Sequence, residues 1–404
     1  MAEHLVIVGA GQAAAQAIQT LRQHSYAGSI TLIGEEPYAP YQRPPLSKKY
    51  FAGEVPRERL SLRPQNFYAD KGVALELGRR VEEIDRGAHA LRLDDGRTLR
   101  YDRLLLATGS RVRKLDVPGA GLPGVHHVRT IADIDALNAQ LMPGARVVVV
   151  GGGYIGLEMA AVATQRGFKV TVLEAAERVL GRVVCTQVSA FYAELHRTAG
   201  VEIHCGAIVR ALHGTARVES VEIADGRRFA CDLVIVGIGI VPNVELAAAA
   251  GLECANGVRV DAHARTADAD VLAAGDCTSH PHPLYARFVR LESVPNAIHQ
   301  ARVAAASLLG SGSAYSEIPW FWSDQYDVKL QIVGLSQGYD DVVLRGDPAK
   351  RSFSAYYLAG RRLIAVDTIG SAHEFAHAKK LIGASFSIDA DVLRDPRTDP
   401  LSLG

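Results

Sequence analysis

Excess charge of either sign is missing: Lys plus Arg and Asp plus Glu each total 44 in 404 residues, so the formal net charge is zero. Such a chain has no global field to draw it to nucleic acid or to an anionic membrane surface, and any charged partner must be met by a local patch. Cysteine is scarce and dispersed. The five, Cys185, Cys205, Cys231, Cys254 and Cys277, form neither a CxxC pair nor a zinc-like set, so buried reduced thiols are expected. Among the histidines, His280 and His282 stand two apart and raise a metal question. With no cysteine or carboxylate cluster at ligand spacing, they are expected in a surface loop and no metal is expected. Long apolar runs are also lacking: the stretch around Val147 to Ala163 is broken by three consecutive glycines and by Glu158, which a membrane span of about 20 apolar residues would not tolerate. The first strand-like run, Leu5 to Val8, starts almost at the first Met, so no export signal is expected. A soluble cytoplasmic chain is expected, with roughly two to four domains at about 100–200 residues each.

What is present is a repeat. His4-Leu-Val-Ile-Val-Gly9-Ala-Gly11-Gln-Ala-Ala14 recurs in outline as Arg146-Val-Val-Val-Val-Gly151-Gly-Gly153-Tyr-Ile-Gly156. Each copy is a strand feeding a glycine turn and then a helical pattern, Ala13 to His24 in one and Tyr154 to Arg166 in the other. In a dinucleotide-binding turn the first glycine allows the tight bend, the second lets backbone approach a pyrophosphate, and the third packs helix on strand. The free N–H groups and positive dipole end of the helix favour the diphosphate. A second strand then ends in an acid, Glu35 in the first copy and Glu174 in the second, 24 residues after Gly11 and 21 after Gly153. Either carboxylate suits a ribose 2′-hydroxyl. One such fingerprint is a weak signal; two indicate two dinucleotides, and the usual reason to hold both is hydride transfer between nicotinamide and flavin. After Glu174 come Ala175 and Ala176 with no adjacent arginine for a 2′-phosphate, so NADH is expected over NADPH despite Arg178 and Arg182 nearby.

Further pieces line up in order: Arg43-Pro-Pro-Leu-Ser47-Lys48, Leu104-Leu-Leu-Ala-Thr108-Gly109, Leu233-Val-Ile-Val-Gly237-Ile-Gly239, Val271-Leu-Ala-Ala-Gly275-Asp276, Glu292-Ser-Val294-Pro-Asn296 and Pro319-Trp-Phe-Trp-Ser-Asp-Gln-Tyr326. With these the sequence resembles the oxygenase-coupled, FAD-dependent ferredoxin reductases of the putidaredoxin reductase type, over nearly its whole length. The resemblance implies an α/β fold with two Rossmann-like, glutathione-reductase-like dinucleotide domains and a small C-terminal α+β domain. It implies a discontinuous FAD domain at 1–109 and 240–318, an NAD domain at 110–239 and the C-terminal domain at 319–404. Strands are expected there at Lys329 to Val333, Asp341 to Arg345, Phe353 to Leu358 and Leu363 to Thr368, with a helix at Ala372 to Ile382.

Carried over position by position, the resemblance puts FAD on Gly9, Gly11, Ala13, Glu35, Arg43, Lys48, Val81, Arg129 and Asp276. The N–H groups of Val294 and Asn296, at the start of a helix running to about Leu309, would face the flavin O2 edge. NAD would contact Gly151, Gly153, Ile155, Gly156, Glu158, Glu174, Arg182, Gly237 and Glu292. Lys48 and Glu158 are the catalytic candidates, an ion pair beside the flavin N5 region. Trp320 and Trp322, two apart, point to one face if extended, by family analogy near the exposed flavin edge. The expected partner is a 2Fe-2S ferredoxin feeding an oxygenase, with a haem-thiolate monooxygenase favoured, and the chain is expected to be a monomer. Arg287, Arg290, Arg302, Lys379 and Lys380 are its candidate docking residues. Two rivals share the fold: an NADH-dependent disulfide or peroxide reductase, and a redox-signalling flavoprotein. The first needs a redox cysteine near the flavin, and none lies between Tyr38 and Gly53.

Overall fold

The computed structural model describes residues 3–312, 314–395 and 397–403. It divides into two compact units, one of Met1–Gln42, Glu58–Arg111 and Val241–Pro319, the other of Arg43–Arg57, Val112–Ile240 and Trp320–Gly404.

The first unit is built on a parallel sheet in the order Val271–Ala273, Arg103–Leu106, His4–Val8, Ser29–Gly34, Val73–Leu77. The fingerprint strand is central and covered on both faces, which is why it reads as an unbroken apolar run. Leu5 and Ile7 pack into one cluster with Ala14, Ile18 and Leu21 of the helix Gln12–Gln23. Val6 and Val8 pack into another with Val81, Leu91 and Val258. Against the fingerprint helix lies the helix Val294–Leu308, with Ala297, Ala301 and Ala304 in the same cluster, where small side chains let the two backbones approach.

One expectation fails in this unit. His280 and His282 belong to the strand Thr278–His282, paired with Arg287–Val289, and are 1% and 2% exposed rather than in a surface loop. Both rings pack edge-on to Tyr315, at 4.7 and 6.0 Å between centroids. Burial pushes the His280 imidazole down to about 4 and lowers that of His282, so both serve as neutral aromatic core.

In the second unit the same logic repeats: a parallel sheet in the order Glu202–Cys205, Lys169–Glu174, Arg146–Val150, Leu233–Val236, Val125–His127, again with the fingerprint strand in the centre. The helices Tyr154–Gln165 and Thr186–Thr198 follow its first two chain crossings. The C-terminal part is an antiparallel sheet in the order Trp320–Gln325, Val328–Gly334, Arg362–Ile369, Ser352–Ala359, Asp341–Asp347. The helix Ala372–Gly383 buries Ala378, Leu381 and Ile382. These strands run one or two residues beyond the sequence expectation, since pairing continues past the last strongly apolar residue. Among the described residues no helix is long and apolar enough to cross a membrane.

Candidate functional site

The two glycine turns are near-copies. Gly9 and Gly151 have φ of 107° and 108°, and the N–H of each donates across its turn over 2.8 Å, to Ile33 O and Leu173 O respectively. A Cβ on Gly9 would stand 2.2 Å from Ala107 O, and one on Gly151 2.5 Å from Gly237 O. Only glycine fits there. At the third position a Cβ on Gly156 would meet Gly151 O at 2.0 Å, so helix rests on turn without a side chain between, while Ala14 fills the equivalent place in the first copy with no exposure. The second glycines differ in kind: around a Cβ built on Gly11 or Gly153 nothing lies within 4 Å. Each opens a helix with no side-chain cap and no acid in its first turn, leaving unpaired N–H donors and a positive dipole end over open space. That cradle fits a diphosphate.

The acids after the second strands are placed differently. Glu35 ends exposed, 4.0 Å from Arg80 with its side chain 76% accessible. Glu174 is anchored, accepting from Gly152 N–H at 2.5 Å and from Ala176 N–H at 2.8 Å. Arg178, the nearer candidate for a 2′-phosphate, spends its guanidinium on the carbonyls of Gly181, Val184 and Cys185. Arg182 is exposed, and Ile155 is 41% exposed beside the second turn.

Lys48 and Glu158 meet within the second unit. Arg43-Pro-Pro-Leu-Ser-Lys folds as a 3₁₀ turn at Pro44–Ser47, with proline at its start where no N–H is needed. This presents the Lys48 ammonium 2.6 Å from Glu158 Oε2 on the helix Tyr154–Gln165. The carboxylate is 2% exposed and also accepts from Ser47 Oγ at 2.5 Å and Ser323 Oγ at 2.7 Å. Burying a carboxylate is costly unless it is paired and hydrogen-bonded, and here both oxygens are served. Ser323 was not foreseen. It alternates with the tryptophans along the strand Trp320–Gln325, and period-two alternation was the signal that could have found it.

Other expected residues fall as follows. Arg43 Nη1 donates to the Arg129 carbonyl at 2.6 Å, joining two of the candidates. Asp276 accepts from Ser110 Oγ at 2.9 Å, and its loop is held by buried Gln300, which accepts from Gly275 N–H and Thr278 Oγ1 at 2.8 Å each. Ser110 and Gln300 escaped the sequence reading because each acts across a long chain separation. At the start of the helix Val294–Leu308 the Asn296 N–H is taken by Ser293 Oγ at 3.2 Å and Pro295 has none, so Val294 keeps the free donor. The Asn296 Oδ1 acceptor is buried and has no partner among the described residues, an oxygen that suits a donor on a bound group. Val81 is buried at the head of its strand. Glu292 pairs with Arg290, whose side chain is only 15% exposed. That ion pair offsets part of the Arg290 charge. Trp320 and Trp322 do share a face, with ring centroids 5.6 Å apart, and Trp320 also packs on Phe375. All five cysteines are free thiols, and burial pushes up four of them, Cys205, Cys231, Cys254 and Cys277, disfavouring the reactive thiolate.

Two diphosphate cradles on parallel sheets, joined to a C-terminal α+β domain, define a pyridine-nucleotide flavoprotein oxidoreductase. The sequence pattern described as pyridine nucleotide-disulphide oxidoreductase matches residues 3–301, and that described as reductase C-terminal matches residues 320–402. The chain is 45% identical to a probable ferredoxin reductase of Castellaniella defragrans, covering 99% of this chain and 98% of that one. It is 44% identical to the putidaredoxin reductase of Pseudomonas putida, covering 97% and 94%. A chain in the crystal structure of the covalent putidaredoxin reductase–putidaredoxin complex matches with a TM-score of 0.95 and 43% identity, over 98% of this chain and 97% of that one. The chain belongs to the pyridine nucleotide-disulphide oxidoreductase family, in its ferredoxin reductase branch of the putidaredoxin reductase type.

Proposed function

We propose that this protein is an FAD-containing, NADH-dependent ferredoxin reductase that passes a hydride from NADH to FAD and then single electrons to a 2Fe-2S ferredoxin serving an oxygenase. One observation carries the choice within the family. Between Tyr38 and Gly53, where a disulfide reductase needs a redox thiol, the chain supplies Lys48, with its ammonium on buried Glu158. The flavin supplies the two-electron to one-electron conversion; the protein supplies alignment and charge.

In this reading the domains are 1–109 with 240–318 for FAD, 110–239 for NAD and 319–404 at the C-terminus. The Gly9–Gly11 turn and Ala13 hold the FAD pyrophosphate and Glu35 its ribose, with Arg43, Val81, Arg129, Asp276, Val294 and Asn296 completing the contacts. The Gly151–Gly153 turn and Gly156 hold that of NAD, Glu174 selects its ribose, and Ile155, Arg182, Gly237 and Glu292 lie along it. Lys48 and Glu158 serve the reacting rings, where an ammonium paired with a fixed carboxylate can balance the charge that arrives with the hydride. The cytoplasm, where NADH is at hand, is its compartment. Arg287, Arg290, Arg302, Lys379 and Lys380 are the basic docking candidates.

A reductase of a dioxygenase system is as similar as putidaredoxin reductase: the anthranilate 1,2-dioxygenase component of Burkholderia cepacia is 45% identical over 98% of this chain. The terminal oxygenase is therefore set by the ferredoxin and its neighbours, not by this chain. The deciding experiment is NADH-driven cytochrome c reduction with and without a 2Fe-2S ferredoxin. Strong stimulation is expected; NADH-to-ferricyanide turnover without any stimulation by a panel of such ferredoxins would refute the reading.

A further inference from the structure

Glu158 is the end of a hydrogen-bonded chain that the nucleotide chemistry does not explain. Ser323 Oγ donates to Glu158 Oε1 at 2.7 Å, and Gln325 Nε2 donates to Ser323 Oγ at 3.2 Å. Gln325 Oε1 lies 2.9 Å from His196 Nε2, and His196 Nδ1 lies 3.2 Å from the Tyr326 hydroxyl. Ser323, Gln325 and His196 are no more than 1% exposed.

The direction of every link follows from its end. An ionised carboxylate only accepts, so Ser323 spends its proton on Glu158 and its oxygen must accept from Gln325. The Gln325 amide therefore turns its NH₂ to Ser323 and its oxygen to His196. His196 must then carry its proton on Nε2, leaving Nδ1 to accept from Tyr326. Four donors in series point at one carboxylate oxygen, while Ser47 and Lys48 serve the other. The chain is no proton wire, because an amide N–H does not release its proton onward. Its effect is to fix Glu158 in place.

The neighbourhood supports that role. Burial lowers the His196 imidazole, which keeps it neutral. The nearby phenols of Tyr154 and Tyr192 are raised by burial and neither hydroxyl has a partner among the described residues, so they neither charge nor compete for the carboxylate.

We propose that Ser323, Gln325 and His196 are positioning residues that hold the Glu158 carboxylate toward Lys48, so that the C-terminal strand and the helix Thr186–Thr198 govern the geometry of the hydride-transfer site. This rests on the reading of Lys48 and Glu158 as the pair serving the reacting rings.

The test has a spectroscopic and a kinetic arm, both on the FAD-loaded protein. In ¹⁵N-histidine-labelled protein the His196 signal, assigned by its loss in His196→Gln, is expected as the neutral Nε2-protonated tautomer and should shift to a tautomer mixture in Gln325→Met. An Nδ1-protonated ring in the unaltered protein overturns the proposal. In stopped-flow flavin reduction by NADH, Ser323→Ala and Gln325→Met are each expected to be at least tenfold slower, with the apparent Kd for NADH, FAD content and Tm little changed. His196→Leu should be slowed similarly, whereas His196→Gln, which keeps an amide donor where Nε2 stood, should recover most of the rate. Unaltered rates in Ser323→Ala and Gln325→Met beside a slowed Glu158→Gln overturn the proposal and leave the site reading intact. An unaltered Glu158→Gln overturns the site reading, and the proposal falls with it.

Discussion

In the proposed reading a single carboxylate, Glu174, sets cofactor choice. Two backbone N–H groups pin it beside the second turn, and a 2′-phosphate placed there meets like charge at about 4 Å, worth roughly 1 kcal/mol in water and more when shielded from it. NADH should therefore be preferred over NADPH by at least about tenfold in kcat/KM, and Glu174→Ser should narrow the ratio mainly by improving NADPH. Equal kcat/KM for both nucleotides in the unaltered protein would show that exposed Arg182 dominates. Asp367 gives a second prediction. It is fully buried, hydrogen-bonded to the Tyr357 hydroxyl, and burial pushes its carboxyl up to about 7. The native state thus holds a proton that the unfolded chain releases near pH 4, so this group's contribution to stability is complete at low pH and fades as pH rises through about 7. Between about pH 5 and pH 8 the unaltered protein should lose more Tm than Asp367→Asn does; parallel Tm profiles would disprove the assignment. Lys48 and Glu158 were legible in the sequence through resemblance. Ser323, Gln325 and His196 were not, since a serine or glutamine has no chemistry until sheet register decides what it faces.

At the scale of elements, the fingerprint turns were readable because the backbone demands glycine: positive φ at Gly9 and Gly151, and a turn oxygen where a Cβ on Gly156 would stand. The second glycines give a cleaner test than these. Gly11 has φ −109° and empty space where a Cβ would go, so Gly11→Ala should leave the fold within about 0.5 kcal/mol of the original while markedly weakening FAD retention through desalting. Gly156→Ala forces a Cβ onto a backbone oxygen and should cost about 1–3 kcal/mol, read as a lower Tm. If Gly11→Ala keeps its full complement of FAD, the cradle is misassigned. His280 and His282 were misread for a physical reason: Thr-Ser-His-Pro-His is polar and carries a proline, both loop signals, and the aromatic wall that makes the strand interior, Tyr315, comes from a distant part of the chain.

For the molecule as a whole, zero net charge leaves partner attraction to local patches. Arg302 is exposed on the helix Val294–Leu308, beside Gln16, Gln19 and Gln23; Lys380 is exposed on the helix Ala372–Gly383. Arg302→Glu or Lys380→Glu should slow ferredoxin reduction several-fold at low salt, through association, and flatten its salt dependence, while sparing NADH-to-ferricyanide turnover. Loss of both activities would mean damage to the flavin site, and unchanged ferredoxin kinetics would move the docking face elsewhere. The strand Trp320–Gln325 carries a different kind of consequence. Its tryptophans occupy one face, while Phe321, packed on Tyr154, shares the other with Ser323 and Gln325. A one-residue insertion or deletion here would exchange the two faces at once, which no single substitution does. The C-terminal domain is consequently not an interchangeable cassette: grafted from a relative, it would have to arrive in frame from Trp320 onward and bring a partner for Gln325 at position 196, so that strand and helix are inherited together.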